Sequence, residues 1–476
     1  MIAFGPSGWR GIIAEDFTFT GVRAVSQAIG EHIRVEDPRA GERGLVVGYD
    51  SRFLSEAFAA QVARVLAAQG VKTLLCERDA PTPVVVFEVL RRRAAGGVII
   101  AAGGEPPEYN GMRFVADWGG PALPRAAQEI QERANALLAG PRVEELPSSE
   151  AEARGLIERI NPRDAYLERL RSLVNLEMIR EARLKVVVDP IYGSAQGYLD
   201  TLLEEAGCEV SVLHNWRDPN FGGRSPVPAD DHLQELAFQV AETSAHLGLA
   251  TDGDAERFGL VDADGTTVEP NYFLGLLLRH LVETRGWTGG VARSVATSHL
   301  VDAVARRLKI ATHETPVGFK AIGELLAKDM IVLGGEESGG LSVKGHIPEK
   351  DGILACLLAA ELVASRGRAR LRTLLQELYA EVGSFLTKRA SYRLEPSAVE
   401  ALQARLEQPP GNVAGLAVIE TTRLDGVKLI LEDGSWLLFR LSGTEPVVWL
   451  HAEAATEEGL DRLLTAGEVL FGRRNR

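Results

Sequence analysis

Asp252, Asp254 and Glu256 stand at alternate positions in the run Asp252-Gly253-Asp254-Ala255-Glu256-Arg257. On a turn, that spacing lets three carboxylates converge on one hard cation. Oxygen donors without His or Cys favour Mg²⁺, Mn²⁺ or Ca²⁺ over zinc. An EF-hand is excluded, because its sixth and twelfth positions would be Arg257 and Ala263 in place of Gly and Glu. A plain Asp-Gly turn with solvated acids uses the same residues, and the run alone does not choose between them. Arg440-Leu441-Ser442-Gly443-Thr444-Glu445-Pro446 offers a guanidinium fork, two hydroxyls and backbone amides freed by Gly443. That set suits a phosphate group, although a Ser/Thr turn capped by Arg would look the same. In Gly334-Gly335-Glu336-Glu337-Ser338-Gly339-Gly340, Glu336 and Ser338 are two apart and can face one ligand. Sugar hydroxyls would suit them, and an ordinary strand-to-helix turn is the alternative. A fourth loop, Ala101-Ala102-Gly103-Gly104-Glu105-Pro106, runs on to Asn110-Gly111.

Each loop follows an apolar, strand-like run, where ligands of α/β sheets bind. Runs at 45–48, 71–75 and 97–101 alternate with helical spacing over 54–69 and 83–93. The rhythm restarts at 184–188 and again at 291–296. The fold class expected is therefore α/β, with three consecutive mixed α/β sheet domains and a smaller α+β C-terminal domain around a central cleft. The expected boundaries are 1–148, 149–264, 265–370 and 371–476, with polar linkers near 140–150 and 365–370.

The chain has 476 residues, too many for a single core, and a formal net charge of −14. That balance argues against nucleic acid or an anionic membrane as the main partner, since both are bound through extended basic patches. Cys76, Cys208 and Cys356 lack metal-ligand spacing and read as reduced core cysteines. The N-terminal residues 1–6 show no basic region followed by an apolar run, so a cytoplasmic location is expected. The longest apolar stretch, 353–364, is interrupted by Glu361 and is read as a buried amphipathic helix.

The four loops, in this order, resemble the α-D-phosphohexomutase family, in its bacterial phosphoglucomutase and phosphomannomutase branch. Further matching stretches are Phe4-Gly5-Pro6-Ser7-Gly8-Trp9-Arg10-Gly11, Gly48-Tyr49-Asp50-Ser51-Arg52 and Phe221-Gly222-Gly223-Arg224-Ser225-Pro226. Thr315-Pro316-Val317-Gly318-Phe319-Lys320 and Gly345-His346-Ile347-Pro348-Glu349-Lys350-Asp351-Gly352 complete the set. The resemblance implies a phosphoserine in the first domain that exchanges its phosphoryl group with a hexose 1-phosphate or 6-phosphate through a 1,6-bisphosphate. It implies Mg²⁺ on Asp252, Asp254 and Glu256, and glucose 1,6-bisphosphate as a possible activator. Glu336 and Ser338 resemble the sugar reader, and Arg440, Ser442, Gly443 and Thr444 the phosphate clamp. Arg10, Arg257 and Lys320 fall at basic positions around the reaction, and Ser7 in a loop near the cleft.

Gly103 stands where the family's Thr-Ala-Ser-His-Asn-Pro motif has its serine. Glu256 replaces a third Asp, and Arg113 replaces a lysine. Arginine can hold a phosphate but stays protonated and does not serve readily as a base. Trp449 stands where a basic residue is usual in the clamp. Three readings follow. One is a mutase with a displaced phosphoryl carrier, at Glu105 or Ser7. Another is a non-catalytic phosphosugar-binding protein in which Glu105 supplies charge near the cation. The third is a sugar-phosphate phosphatase.

Overall fold

Short apolar runs closed by turns make strands that can be buried on both faces, and Leu45–Tyr49 is buried at every position. The computed structural model describes residues 1–5, 7–140, 143–441 and 447–471. Its first sheet has the order β1-β5-β4-β2-β3-β6. These strands are β1 (Trp9–Ile12), β2 (Leu45–Tyr49), β3 (Thr73–Cys76), β4 (Gly96–Ile100), β5 (Tyr109–Ala116) and β6 (Ile157–Ile160). β2, β3, β4 and β6 run parallel within it; at one side β5 pairs antiparallel with β4, and β1 pairs antiparallel with β5. Because β6 closes this sheet, the boundary expected at 148 falls inside its layer.

The second sheet has the order β11-β10-β9-β7-β8. It is built from β7 (Lys185–Asp189), β8 (Glu209–Val212), β9 (Leu247–Thr251), β10 (Phe258–Asp262) and β11 (Thr267–Val268). Three further strands, β12 (Gly290–Ser294), β13 (Thr312–Thr315) and β14 (Ile331–Gly335), pair in parallel around β12. A short strand, β15 (Leu341–Val343), follows. The fourth sheet is antiparallel throughout, in the order β16-β21-β20-β19-β18-β17. Its strands are β16 (Leu386–Arg393), β17 (Asn412–Val413), β18 (Leu416–Thr422), β19 (Val427–Leu431), β20 (Trp436–Leu441) and β21 (Val447–Ala454). The expected fold class, three mixed α/β sheets and a smaller C-terminal α+β domain, holds.

The chain divides into two compact units. Unit one takes Met1–Glu269, Gly323–Asp329 and Ser338–Leu371; unit two takes Pro270–Ile322, Met330–Glu337 and Arg372–Arg476. In unit one the helix Gly352–Ser365 is buried all the way round, not along one stripe. The amphipathic reading of 353–364 is therefore corrected: with packing on every side, no polar face is needed. Glu361 is tolerated inside because its carboxylate accepts the Asn175 N–H at 2.7 Å. Cys76 and Cys356 are buried and free, whereas Cys208 is only half-buried, just before β8. In unit two, Glu453 ties β21 to the turn after β12. It accepts from the Trp436 Nε1–H at 2.7 Å, from Ser298 Oγ–H, and from the His299 N–H. No helix among the described residues is long and apolar enough to cross a membrane.

One histidine gives unit one a pH-dependent contact. His214 Nδ1 lies 3.0 Å from Asp189 Oδ1, and that hydrogen bond, outweighing burial, raises its pKa above the ordinary 6.5. A base whose folded pKa is raised adds stability that is complete below the unfolded value and is lost as pH rises through the folded one. The stability gap between wild type and His214→Gln is thus expected to be widest below about pH 6. Urea unfolding at a series of pH values checks this; a gap that widens with rising pH would be the wrong sign.

Candidate functional site

In unit one the loop after β4 is shaped by Arg52, whose side chain is completely buried. Its Nη2 donates to the carbonyls of Gly103 at 2.8 Å and Glu105 at 2.6 Å. Its Nη1 donates to those of Pro106 at 2.7 Å and Tyr109 at 3.1 Å. Asp50 holds the guanidinium from behind, with Oδ2 3.1 Å from Nε, and the Phe221 ring lies against it with its centroid 5.0 Å away. Burial pushes the Asp50 carboxyl up to about 6 even against the Arg52 charge.

On this scaffold Gly103 has φ +56°, in the left-handed region that glycine fills without strain. A Cβ there would meet Arg10 Nη2 at 3.5 Å, an ordinary contact. At Gly104 a Cβ would come within 2.5 Å of Val227 Cγ2, so this part of the loop is packed tightly on residue 227. Arg10 projects from β1, and its Nη1 meets Glu105 Oε1 at 3.0 Å. Arg10, Gly103 and Glu105, separated by up to 95 positions, are thus adjacent. Ser7 is exposed on a turn closed by hydrogen bonds between Gly5 and Gly8.

The loop after β9 lies beside that one. Pro226 supports it by accepting the Gly253 N–H at 3.0 Å, and Thr82 donates to Asp254 Oδ2 at 3.0 Å. Asp252 Oδ1 accepts the Arg257 N–H at 2.9 Å, and Oδ2 is 3.9 Å from Arg257 Nε. Asp254 Oδ1 is buried and has no hydrogen-bond partner among the described residues. Burial, followed by the charge of Asp254, raises Asp252 well above the usual carboxylate range; burial, followed by the charge of Glu256, raises Asp254.

Glu256 behaves differently. Its Oε1 meets Arg113 Nη1 at 2.6 Å and its Oε2 meets Lys350 Nζ at 2.7 Å. Against the effect of burial, these two cations hold its pKa far below the usual value. Glu349 Oε2 lies 3.6 Å from the same Arg113 nitrogen. The donors present do not fit a three-carboxylate magnesium site. Asp254 has an open oxygen, as a cation ligand would, but both oxygens of Glu256 are taken by side-chain cations.

In unit two, Arg440 on β20 is anchored by Asp425, with Nη2 to Oδ2 at 3.0 Å, while its buried Nε has no partner among the described residues. Asp425 also accepts the Val317 N–H at 3.0 Å, and Glu336 accepts the Gly318 N–H at 2.7 Å. Residues 317–318 therefore link the anchor of Arg440 to Glu336, and Lys320 follows in the first turn of the helix Phe319–Ala327. Ser338 is half-buried and falls in unit one, so the expected pair with Glu336 is divided between the units. Ser442, Gly443 and Thr444 lie outside the described residues. The guanidinium of Arg389, from β16, lies 4.0 Å from the Trp449 ring centroid and brings a positive charge to that tryptophan.

The sequence reading gave no role to Arg52, Glu349, Lys350, Asp425 or Arg389. The first three lie in the quoted stretches 48–52 and 345–352, so the signal was present, but only the fold shows what they touch.

Four family profiles match the chain in order. They are described as Phosphoglucomutase/phosphomannomutase alpha/beta/alpha domain I over residues 1–139, domain II over 164–265, domain III over 269–382, and the C-terminal domain over 394–466. A phosphoglucomutase/phosphomannomutase of Thermococcus kodakarensis is 30% identical over 475 residues, which is 98% of each chain. A probable phosphoglucosamine mutase of Methanopyrus kandleri is 30% identical, over 96% of this chain and 94% of that one. The crystal structure of a candidate phosphomannomutase from Thermus thermophilus superposes with a TM-score of 0.85 at 31% identity, covering 98% of both chains.

Proposed function

Because the chain belongs to the phosphoglucomutase/phosphomannomutase family, we propose that it binds hexose phosphates without running the mutase cycle. One observation carries this reading: the position that the resemblance gives to the phosphorylated serine is Gly103, on a loop that Arg52 still fixes in shape. Phosphoryl transfer in such a cycle needs a side chain to store the group between its two halves. Arg10, which would meet that group, is instead engaged by Glu105. Glu105 supplies fixed negative charge at this point and leaves Arg10 neutralised. Arg440, Lys320 and Glu336, with Ser442, Gly443 and Thr444, are the residues proposed to hold the phosphosugar. Glucose 1-phosphate, glucose 6-phosphate and glucose 1,6-bisphosphate are the compounds to test first.

The test uses full-length protein from a host lacking its own mutase. Calorimetry is expected to show binding of glucose 6-phosphate, while ³¹P NMR of glucose 1-phosphate with a trace of the bisphosphate stays unchanged. Growth of glucose 6-phosphate would overturn the non-catalytic part, and no binding at millimolar sugar would overturn the whole. Gly103→Ser sharpens the question. The serine fits in the space beside Arg10 and costs about 1 kcal/mol for its left-handed backbone. The variant is expected to fold and to bind sugar phosphate, yet to remain without turnover while Glu105 occupies Arg10. Turnover in this single variant would show that serine alone was lacking.

A further inference from the structure

We infer that Arg113 and Lys350 take the place of a divalent cation, so that this protein holds its ligand without Mg²⁺. The sugar half of the statement rests on the phosphosugar-binding reading; the cation half does not. Six-coordinate Mg²⁺ needs oxygens about 2.0–2.1 Å away in near-ideal directions, usually from one or two carboxylates together with phosphate. Here the third carboxylate, Glu256, bridges two cations with one oxygen each, at 2.6 and 2.7 Å. To ligate a metal it would have to release at least one of them inside a buried cluster, giving up a direct carboxylate contact.

Both cations are built into their places. Arg113 belongs to β5 and is shared between Glu256 and Glu349. The stem of Lys350 lies where a side chain at residue 340 would be: a Cβ on Gly340 would come within 2.4 Å of Lys350 Cδ. Four carboxylates, Asp252, Asp254, Glu256 and Glu349, face three cations, Arg113, Arg257 and Lys350. A divalent ion would add two more positive charges beside them, and Gly103 offers no group to balance these. Of the loop's three carboxylates, Asp252 and Asp254 remain for a metal, without a phosphate on residue 103 to complete the set.

Electron paramagnetic resonance of Mn²⁺ titrated into the full-length protein reads this directly, since binding removes the signal of the free ion. The expected result is a Kd of about 1 mM or weaker, and calorimetric binding of glucose 1,6-bisphosphate that is the same within twofold in EDTA and in Mg²⁺. The double variant Arg113→Met, Glu256→Asp removes one blocking cation and shortens the acid, and is expected to bind Mn²⁺ at least tenfold more tightly. Mn²⁺ uptake by wild type with a Kd of tens of micromolar would overturn the inference. So would loss of sugar binding in EDTA. If the double variant does not fold, the wild-type titration decides alone. Absence of sugar binding in both buffers would end the phosphosugar reading and leave the Mn²⁺ result to judge the cation.

Discussion

Arg52→Ala is expected to lower the unfolding free energy by about 3–5 kcal/mol, the cost of breaking a buried ion pair from one side. The substitution strands the carboxylate of Asp50, which is only 1% exposed, and leaves the carbonyls of Gly103, Glu105, Pro106 and Tyr109 without their donor. It also empties the space against Phe221. Arg52→Lys should recover little, because an ammonium is a point with three donors and cannot serve five acceptors spread around a planar fork. Thermal unfolding measures the loss, and limited proteolysis locates it, with new cleavage expected between residues 103 and 109. A melting shift below about 2 °C, less than 1 kcal/mol for a body of this size, would mean that the loop holds its shape by other means.

Arg440→Ala is expected to weaken glucose 6-phosphate binding roughly 10- to 150-fold, from about 1.5–3 kcal/mol for hydrogen bonds to a charged group. Asp425 fixes the guanidinium from one side, and Arg440 Nε has no partner among the described residues. The fold should tolerate the change, because Arg440 is about a quarter exposed and Asp425 keeps its bond from the Val317 N–H. Calorimetry on the variant, with unfolding measured in parallel, separates affinity from stability. A loss below about threefold would remove Arg440 from the proposed phosphate site.

The sheets were legible in the sequence for a simple reason. Parallel strands buried on both faces, such as β2 and β9, are short apolar runs, each stopped by an acid, Asp50 and Asp252. The loops at their ends were legible too, because Asp, Glu, Arg and Gly clusters stand out against those runs. The pairing was not. Arg113 and Glu256 are 143 positions apart, and nothing local to either says that a guanidinium fills the gap between two acids. The helix Gly352–Ser365 was misread for a related reason: a run without a polar face is compatible with any partner, and only tertiary packing shows that it has one on every side. Arg52 went unassigned because its partners are backbone carbonyls, which carry no signature in side-chain spacing.

The division of the chain has a consequence for its synthesis. Unit one is not finished when its first 269 residues have been made, since it also needs 323–329 and 338–371. Among the late segments is the mostly apolar helix Gly352–Ser365, buried on every side, which packs on β9 and β10. On a ribosome adding about 5–20 residues per second, the second sheet therefore waits several seconds with an apolar face uncovered while 270–322 emerges between its two parts. A newly made chain would offer chaperones their best target during that interval, and a transcript cut short before residue 352 would yield a product that stays sticky.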